Sequence, residues 1–498
     1  MMRPTPRRLA RAASRLAALL ALAALSPAAA PLGTQPAPPG DSILAVTRAH
    51  VVDVERGVVL RDRTILVRGG RIAAVFPAAR AAIPPGARVV DADGRWAVPG
   101  LWDMHAHVDA GAAWQFPAHV ALGVTGLRDM GSALASLAAW RDAARGGAPA
   151  PRIVGAGPIV FGAGDDPDPR VALVRTPDAA RRLVDSLAAG GAAFIKTYDW
   201  IPRDAYLALA DAARARGLHL AGHLPLQVTP EEAIAAGQRS IEHFGNAEGG
   251  LLLHLSRERA ELAAWGAALV GRPFDAANLM GGWSPARALR VAHAYDPRLA
   301  ARLARRMAAA GVWLTPTLAS ARSWVVPPDS AFLRDPRRSL LPRDHRDAVD
   351  SLVVGWHLAP PSREHRRAQR RLFVAQELLL QDLVAGGVRI LAGSDFAPWV
   401  GAYPGHALHD ELRALVAAGL TPLQALRAAT LEPARYFGAL DTLGAIAPRR
   451  VADLVLLDTD PLRDIAAVTR VHAVVLRGRW LGPAERERLL ERARAAAR

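Results

Sequence analysis

Leu101–Val108 reads LWDMHAHV, an apolar run closing on His105 and His107. Residues two apart on a strand share a face, so both imidazoles can reach one ion. Alone the pair says little, because 15 histidines in 498 residues place a His-x-His by chance in roughly a third of such chains. Its weight comes from what surrounds it. Working outward, apolar strand patterns alternate with amphipathic helical ones, and eight strands can be placed: Trp96–His107, Gly123–Met130, Arg152–Val160, Ala193–Tyr198, Leu218–His223, Ser240–Phe244, Val312–Leu318 and Val388–Asp395. Helical patterns follow most of them, as at Asp178–Ala189 and Arg203–Arg216. Eight such units predict an α/β fold, a closed (β/α)8 TIM-like barrel with its site at the C-terminal ends of the strands.

Polar residues gather at those ends. Lys196 ends the fourth strand in AAFIKTYD, His223 the fifth in LAGHLP, His243 the sixth in SIEHFG and Asp395 the eighth in ILAGSDF. Any one of these histidines reads best as a satisfied structural residue. Four histidines, a lysine and an aspartate converging on one barrel mouth read as a metal site. Imidazole and carboxylate donors without thiolates suit Zn²⁺, with Mn²⁺, Co²⁺ or Fe²⁺ according to supply.

Lys196 is the sole lysine in a chain whose Lys+Arg total is 62, so arginine serves almost wherever a cation is wanted. An ammonium is a poor neighbour for divalent cations. Its neutral amine, however, can add CO2 to form a carbamate whose two oxygens bridge metals as a carboxylate does. Guanidinium stays protonated and cannot do this.

The rest of the chain frames the barrel. Residues 1–30 read as an export signal, with Arg3, Arg7, Arg8 and Arg11 before an apolar run from Leu16 to Leu25 and small residues at Ala28–Ala30. The twin arginines leave general and twin-arginine export both open. The run is short for a membrane span, and the mature protein is expected to be exported, periplasmic or secreted. Residues 31–42 form a Pro/Gly-rich linker. Short β-branched runs over 43–98 and again over 440–483 predict a small β-sandwich built from both chain ends. The barrel spans 99–439 with insertions at 245–300 and 320–362, read as pocket walls or as packing surfaces, and 484–498 is a helical tail.

Cys 0 excludes disulfides. The net charge of +16 comes from scattered arginines without interleaved aromatics, which argues against nucleic acid and favours substrates carrying a carboxylate. The expected partner is therefore a small molecule, with no membrane span after signal removal and a homo-oligomer left open.

The chain resembles the amidohydrolase superfamily, in the branch similar to imidazolonepropionases and Xaa-Pro dipeptidases. The resemblance rests on Ile83–His107, IPPGARVVDADGRWAVPGLWDMHAH, on Gly123–Asp129, GVTGLRD, and on the C-terminal passages GLTPLQALRAATLEPARYFG and DTLGAIAPRRVADLVLLD, ending at Asp458. Arg449 and Arg450 stand where a glycine is usual in that last turn. The resemblance implies that His105, His107 and Asp395 bind one metal and His223 and His243 a second, with carbamylated Lys196 joining them. It implies hydrolysis by a metal-bridging hydroxide, Asp395 being the catalytic acid–base. The expected reaction is cleavage of a C–N amide bond in an N-acyl amino acid or dipeptide. A lactone, ester or cyclic amide hydrolase and an inactive metal-containing binding protein are the alternatives. Tyr198, Arg128, His406 and His409 are candidate substrate contacts, each weighed against a packing role.

Overall fold

The computed structural model describes residues 43–108, 114–145, 149–162, 168–244, 250–261, 264, 285–325, 333–358, 362–396 and 402–498. The expected signal and linker lie outside these residues.

Both chain ends contribute to one small β unit. β1 (Ile43–Asp53), β2 (Val58–Arg68), β3 (Arg71–Pro77), β4 (Arg88–Asp91) and β5 (Trp96–Pro99) come from the N-terminal side. The partners from the far end are β15 (Leu454–Leu457), β16 (Val471–Leu476) and β17 (Arg479–Leu481). The hydrogen-bonded order is β17-β16-β15-β5-β1-β2-β3, with β4 also on β1. The strands of both chain ends thus lie on one continuous hydrogen-bonded path and complete the expected small β domain. β1 makes this feasible: its register shifts between Val46 and Val51 let its first half take β4 and its second half β5 on the same side, as a bulged strand bends. Leu44, Val46, Ile65, Ile72, Ala97, Leu454, Leu456 and Val475 share its core.

The barrel starts one residue later. The expected first strand Trp96–His107 is two strands, β5 and β6 (Leu101–Ala106), divided at Gly100. A Cβ on Gly100 would lie 2.3 Å from Thr125 Oγ1, so the crossing between the two units requires glycine. β7 (Val124–Asp129) and β8 (Arg152–Gly155) follow β6 in parallel. The expected third strand is likewise interrupted, at Gly157 with φ 75°, and resumes as β9 (Ile159–Phe161), beside which lies an additional short strand, β10 (Val171–Leu173). Then come β11 (Ile195–Thr197), β12 (Leu220–Gly222), β13 (Ser240–Glu242) and β14 (Trp313–Thr315), each parallel to its neighbour.

The segment 388–396 completes the ring. Ile390 bridges Leu314 and Phe396 bridges Ala106, both parallel, while Leu391 N–H donates to Leu314 O and Met104 N–H to Ala392 O. Eight strand positions therefore close on themselves, as an α/β barrel requires. Its floor is apolar, with Trp102, Phe194, Trp313, Leu391 and Tyr436 packed together.

The described parts of the long insertions are largely helical, with one antiparallel bridge between Ser256 and Tyr295. They include Leu251–His254, Pro285–Ala294, Leu318–Val325 and Arg343–Leu358.

Candidate metal centre

Above the apolar floor the barrel axis carries charge. Arg128 on β7 is fully buried, with its guanidinium carbon 5.0 Å from the Tyr436 ring centroid below. Its Nη2 donates to both oxygens of Glu242 at 2.8 Å, its Nη1 to Ser240 Oγ at 2.9 Å and its Nε to Met104 O. Glu242 Oε2 in turn lies 2.9 Å from His105 Nδ1. The carboxylate accepts there, which fixes the proton on Nδ1 and leaves Nε2 free to point up the barrel. Arg128 is therefore not a substrate contact. Its donors are spent beneath the site, because a fully buried guanidinium needs a counter-charge.

At the mouth the six expected ligands meet. One ligand atom each from His105, His243 and Asp395 lie within 4.8 Å of one another. Asp395 Oδ1 is 3.4 Å from the Nε2 atoms of both His105 and His107, and Lys196 Nζ is also 3.4 Å from His105 Nε2. The His223 ring stands edge-on to His243 with centroids 4.8 Å apart. His223 and His243 have their Nδ1 atoms engaged, by Asp199 Oδ1 at 3.0 Å and Thr317 Oγ1 at 2.5 Å. Three imidazoles thus turn Nε2 toward one space. This donor set of nitrogens and a carboxylate fits a divalent ion of the zinc type.

Backbone geometry aims the last ligands. His243, Thr317 and Asp395 have φ of 62°, 50° and 53°, the left-handed region that costs an L-residue roughly 1–2 kcal/mol. Each sits just past a strand and turns its side chain across the mouth, and strain of this kind persists where surrounding contacts enforce it. Asp103 ties the first and eighth strands between the ligands: Oδ1 accepts from the N–H groups of His105 and Ser394, and Oδ2 from Ser394 Oγ.

Burial dominates the electrostatics. It holds His105 and His243 well below the ordinary imidazole value, in the neutral form that a ligand needs. It also lowers the Lys196 ammonium to about 8. For Asp395 burial works against ionisation, but the His107 hydrogen bond and the electropositive surroundings that include Lys196 outweigh it, holding the carboxyl well below its usual range. Burial raises Asp103 and Asp129 to about 6.

Of the other substrate candidates, His406 and His409 stand edge-to-face with ring centroids 6.1 Å apart, while Tyr198 lies just past β11. Tyr198 stacks on Phe161, at 4.3 Å, and on His223, at 4.0 Å, so it braces a ligand. His409 is buried with Nε2 2.9 Å from Leu122 O, a helix-packing contact and not a pocket residue. His406 heads the helix His406–Ala417 with Asp335 and Arg337 as its charged neighbours. Sequence reading missed Glu242, Thr317, Ser320 and Asp199. The available signal was a glutamate inside the apolar run SIEH and an arginine inside GLRD, two buried charges that each demand a partner.

A closed barrel with neutral imidazoles, an ionised aspartate and a buried lysine at its C-terminal mouth defines a metal-dependent hydrolase centre. Residues 96–481 match the profile of the amidohydrolase family. The chain belongs to this family, and with it to the hydrolases acting on C–N bonds. Among solved structures it is similar to the bottromycin amidohydrolase, at 22% identity and TM-score 0.68, covering 94% of this chain and 92% of that one. It is also similar to a prolidase complexed with N-methylphosphonate-L-proline, at 21% identity and TM-score 0.61, covering 89% and 100%. At such identities the likeness speaks for the fold. An adenine deaminase of Mesorhizobium japonicum is 43% identical over 68 residues, a stretch covering 14% of this chain and 11% of that protein. The chain thus matches about a tenth of the length of that curated relative.

Proposed function

We propose that the protein hydrolyses a C–N amide bond in a small substrate carrying a carboxylate, such as an N-acyl amino acid or a dipeptide. The observation that carries this reading is the position of Asp395, whose Oδ1 faces two imidazole Nε2 atoms while Oδ2 accepts from Ser320 Oγ at 3.0 Å. His105, His107 and Asp395 would hold one divalent ion and His223 and His243 a second. Lys196 would join them as a carbamate, its neutral amine forming an N–C bond to CO2 and releasing a proton. Two ions bound there supply an acidified water and polarise a carbonyl.

The chain's own groups do the rest. Asp395 accepts the water's proton and delivers it to the departing nitrogen, which leaves poorly unless protonated. Ser320 holds the ionised carboxylate in position through Oδ2. Glu242 keeps His105 in one tautomer. The prolidase among the structural neighbours and the basic net charge both support a carboxylate-bearing substrate. We also propose export under residues 1–30. A mature N-terminus near residue 31 by mass spectrometry would bear this out, and a chain retained in the cytoplasm with Met1 intact would refute it.

The main test is to count metals per purified chain and screen dipeptides, N-acyl amino acids, lactones and aryl esters. Amide turnover with two metals, abolished in Asp395→Asn, is the expected result. Turnover of esters or lactones alone would replace the amide reading, and two metals with no turnover on any panel would point to a binding protein.

A further inference from the structure

One turn touches the candidate metal centre twice. Thr317 Oγ1 meets His243 Nδ1, and Ser320 Oγ donates to Asp395 Oδ2. Between these two residues the backbone is gripped from another helix. Glu411, on His406–Ala417, is fully buried; its Oε2 accepts from the N–H of Ala319 at 2.7 Å, and the carboxyl also faces the N–H of Leu318. Its other oxygen, Oε1, has no hydrogen-bond partner among the described residues, and burial pushes the carboxyl up to about 8. An unpaired buried oxygen is costly, and a leucine would fill the space without that cost, so the acceptor itself is what the position requires. The turn also needs fixing, since Thr317 is a β-branched residue at φ 50°, where such residues rarely stay unaided.

We propose that Glu411 is a positioning residue for the metal centre, holding Leu318 and Ala319 so that Thr317 bears on His243 and Ser320 on Asp395. The proposal rests on the reading above, in which His243 and Asp395 are ligands and Asp395 is the base. Its reach is two contacts further out than the ligands: a carboxyl on one helix sets two ligands borne by other strands, through Thr317 and Ser320. Groups that touch ligands directly, as those two do, commonly govern an ion's affinity and the activity it supports.

The test uses the full chain with Glu411→Leu, Glu411→Gln, Ser320→Ala and the Ser320→Ala/Glu411→Leu double variant. Zinc affinity is read by competition with a chromophoric chelator, and kcat and KM on whichever substrate the panel yields. Glu411→Leu should weaken zinc binding about 10- to 100-fold and lower kcat with KM little changed. Glu411→Gln, whose amide oxygen can accept the same two N–H groups, should recover most of both. Ser320→Ala should lower kcat on the order of tenfold, as the loss of a group that orients a ligand does. Because Glu411 acts partly through Ser320, the double variant should lose less than the product of the single losses. A folded Glu411→Leu with wild-type zinc affinity and kcat would overturn the proposal, as would Glu411→Gln as damaged as Glu411→Leu, or fully multiplicative losses. If Glu411→Leu does not fold, wild-type zinc affinity and kcat in Ser320→Ala overturn it instead. Asp395→Asn separates the two readings: retained turnover there refutes the base assignment, while the zinc titrations still decide the role of Glu411.

Discussion

Glu242→Gln probes the charged axis beneath the ligands. In the native protein Glu242 receives Arg128 Nη2 on both oxygens and faces His105 Nδ1, all in a fully buried setting. Glutamine keeps one oxygen but removes the counter-charge, leaving the Arg128 guanidinium buried and uncompensated. Removing one partner of a buried pair costs about 3–5 kcal/mol, and the retained oxygen places glutamine near the low end, about 3 kcal/mol. His105 loses its carboxylate acceptor at the same time, which should weaken zinc binding about 10- to 100-fold, or about 1.4–2.7 kcal/mol. Urea unfolding of the metal-free protein reads the first effect and chelator competition the second. The two should separate in Arg128→Met/Glu242→Gln, which regains much of the stability because no charge is left unpaired, yet still binds zinc weakly. A loss under about 1 kcal/mol in Glu242→Gln, on the scale of an ordinary hydrogen bond, together with wild-type zinc affinity, would refute the reasoning.

Three further outcomes are expected. Lys196→Ala should lose activity and regain part of it with added short-chain carboxylates standing in for the carbamate, whereas full activity in Lys196→Arg would sink the bridging role. Burial lowers Lys196 from 10.5 to about 8, so between those values the unfolded chain binds a proton that the folded chain has released. Stability of the metal-free protein should therefore rise with pH across that window, by on the order of 3 kcal/mol at most, and Lys196→Met should flatten the rise; matching pH profiles in the two proteins would contradict it. Arg449, exposed and at φ 72°, takes the left-handed conformation that glycine holds more cheaply. Arg449→Gly should stabilise by up to about 1 kcal/mol in urea unfolding, once glycine's entropy is set against the relieved strain, and a destabilisation would show that the arginine side chain carries the turn.

The residues that sequence exposes best are those marked twice, by type and by place in the repeat. His105, His107, Lys196, His223, His243 and Asp395 all end strands, and Lys196 is further singled out by an arginine-rich composition. The supports were hidden because their meaning lies in distant pairing: Arg128 and Glu242 are 114 positions apart, and nothing local joins them. Ser320 and Thr317 were hidden differently, at the junction of a strand and a stretch read as an insertion, where backbone turning and not periodicity places the side chains. The break between β5 and β6 had its signal in Pro99-Gly100, but the apolar run on both sides masked it.

The pairing of β5 with β15 also sets an order in time. Leu101, which opens the strand carrying His105 and His107, follows β5 directly through Gly100. During synthesis at 5–20 residues per second, the roughly 350 residues between β5 and β15 take roughly 20–70 s to appear. For that interval the edge of β5 that later takes β15 has no strand to pair with, and an open edge is a template for wrong pairing. A chain cut short before Leu454 keeps that edge for good. The first ligand strand thus gains a finished base only when the last sheet strands arrive.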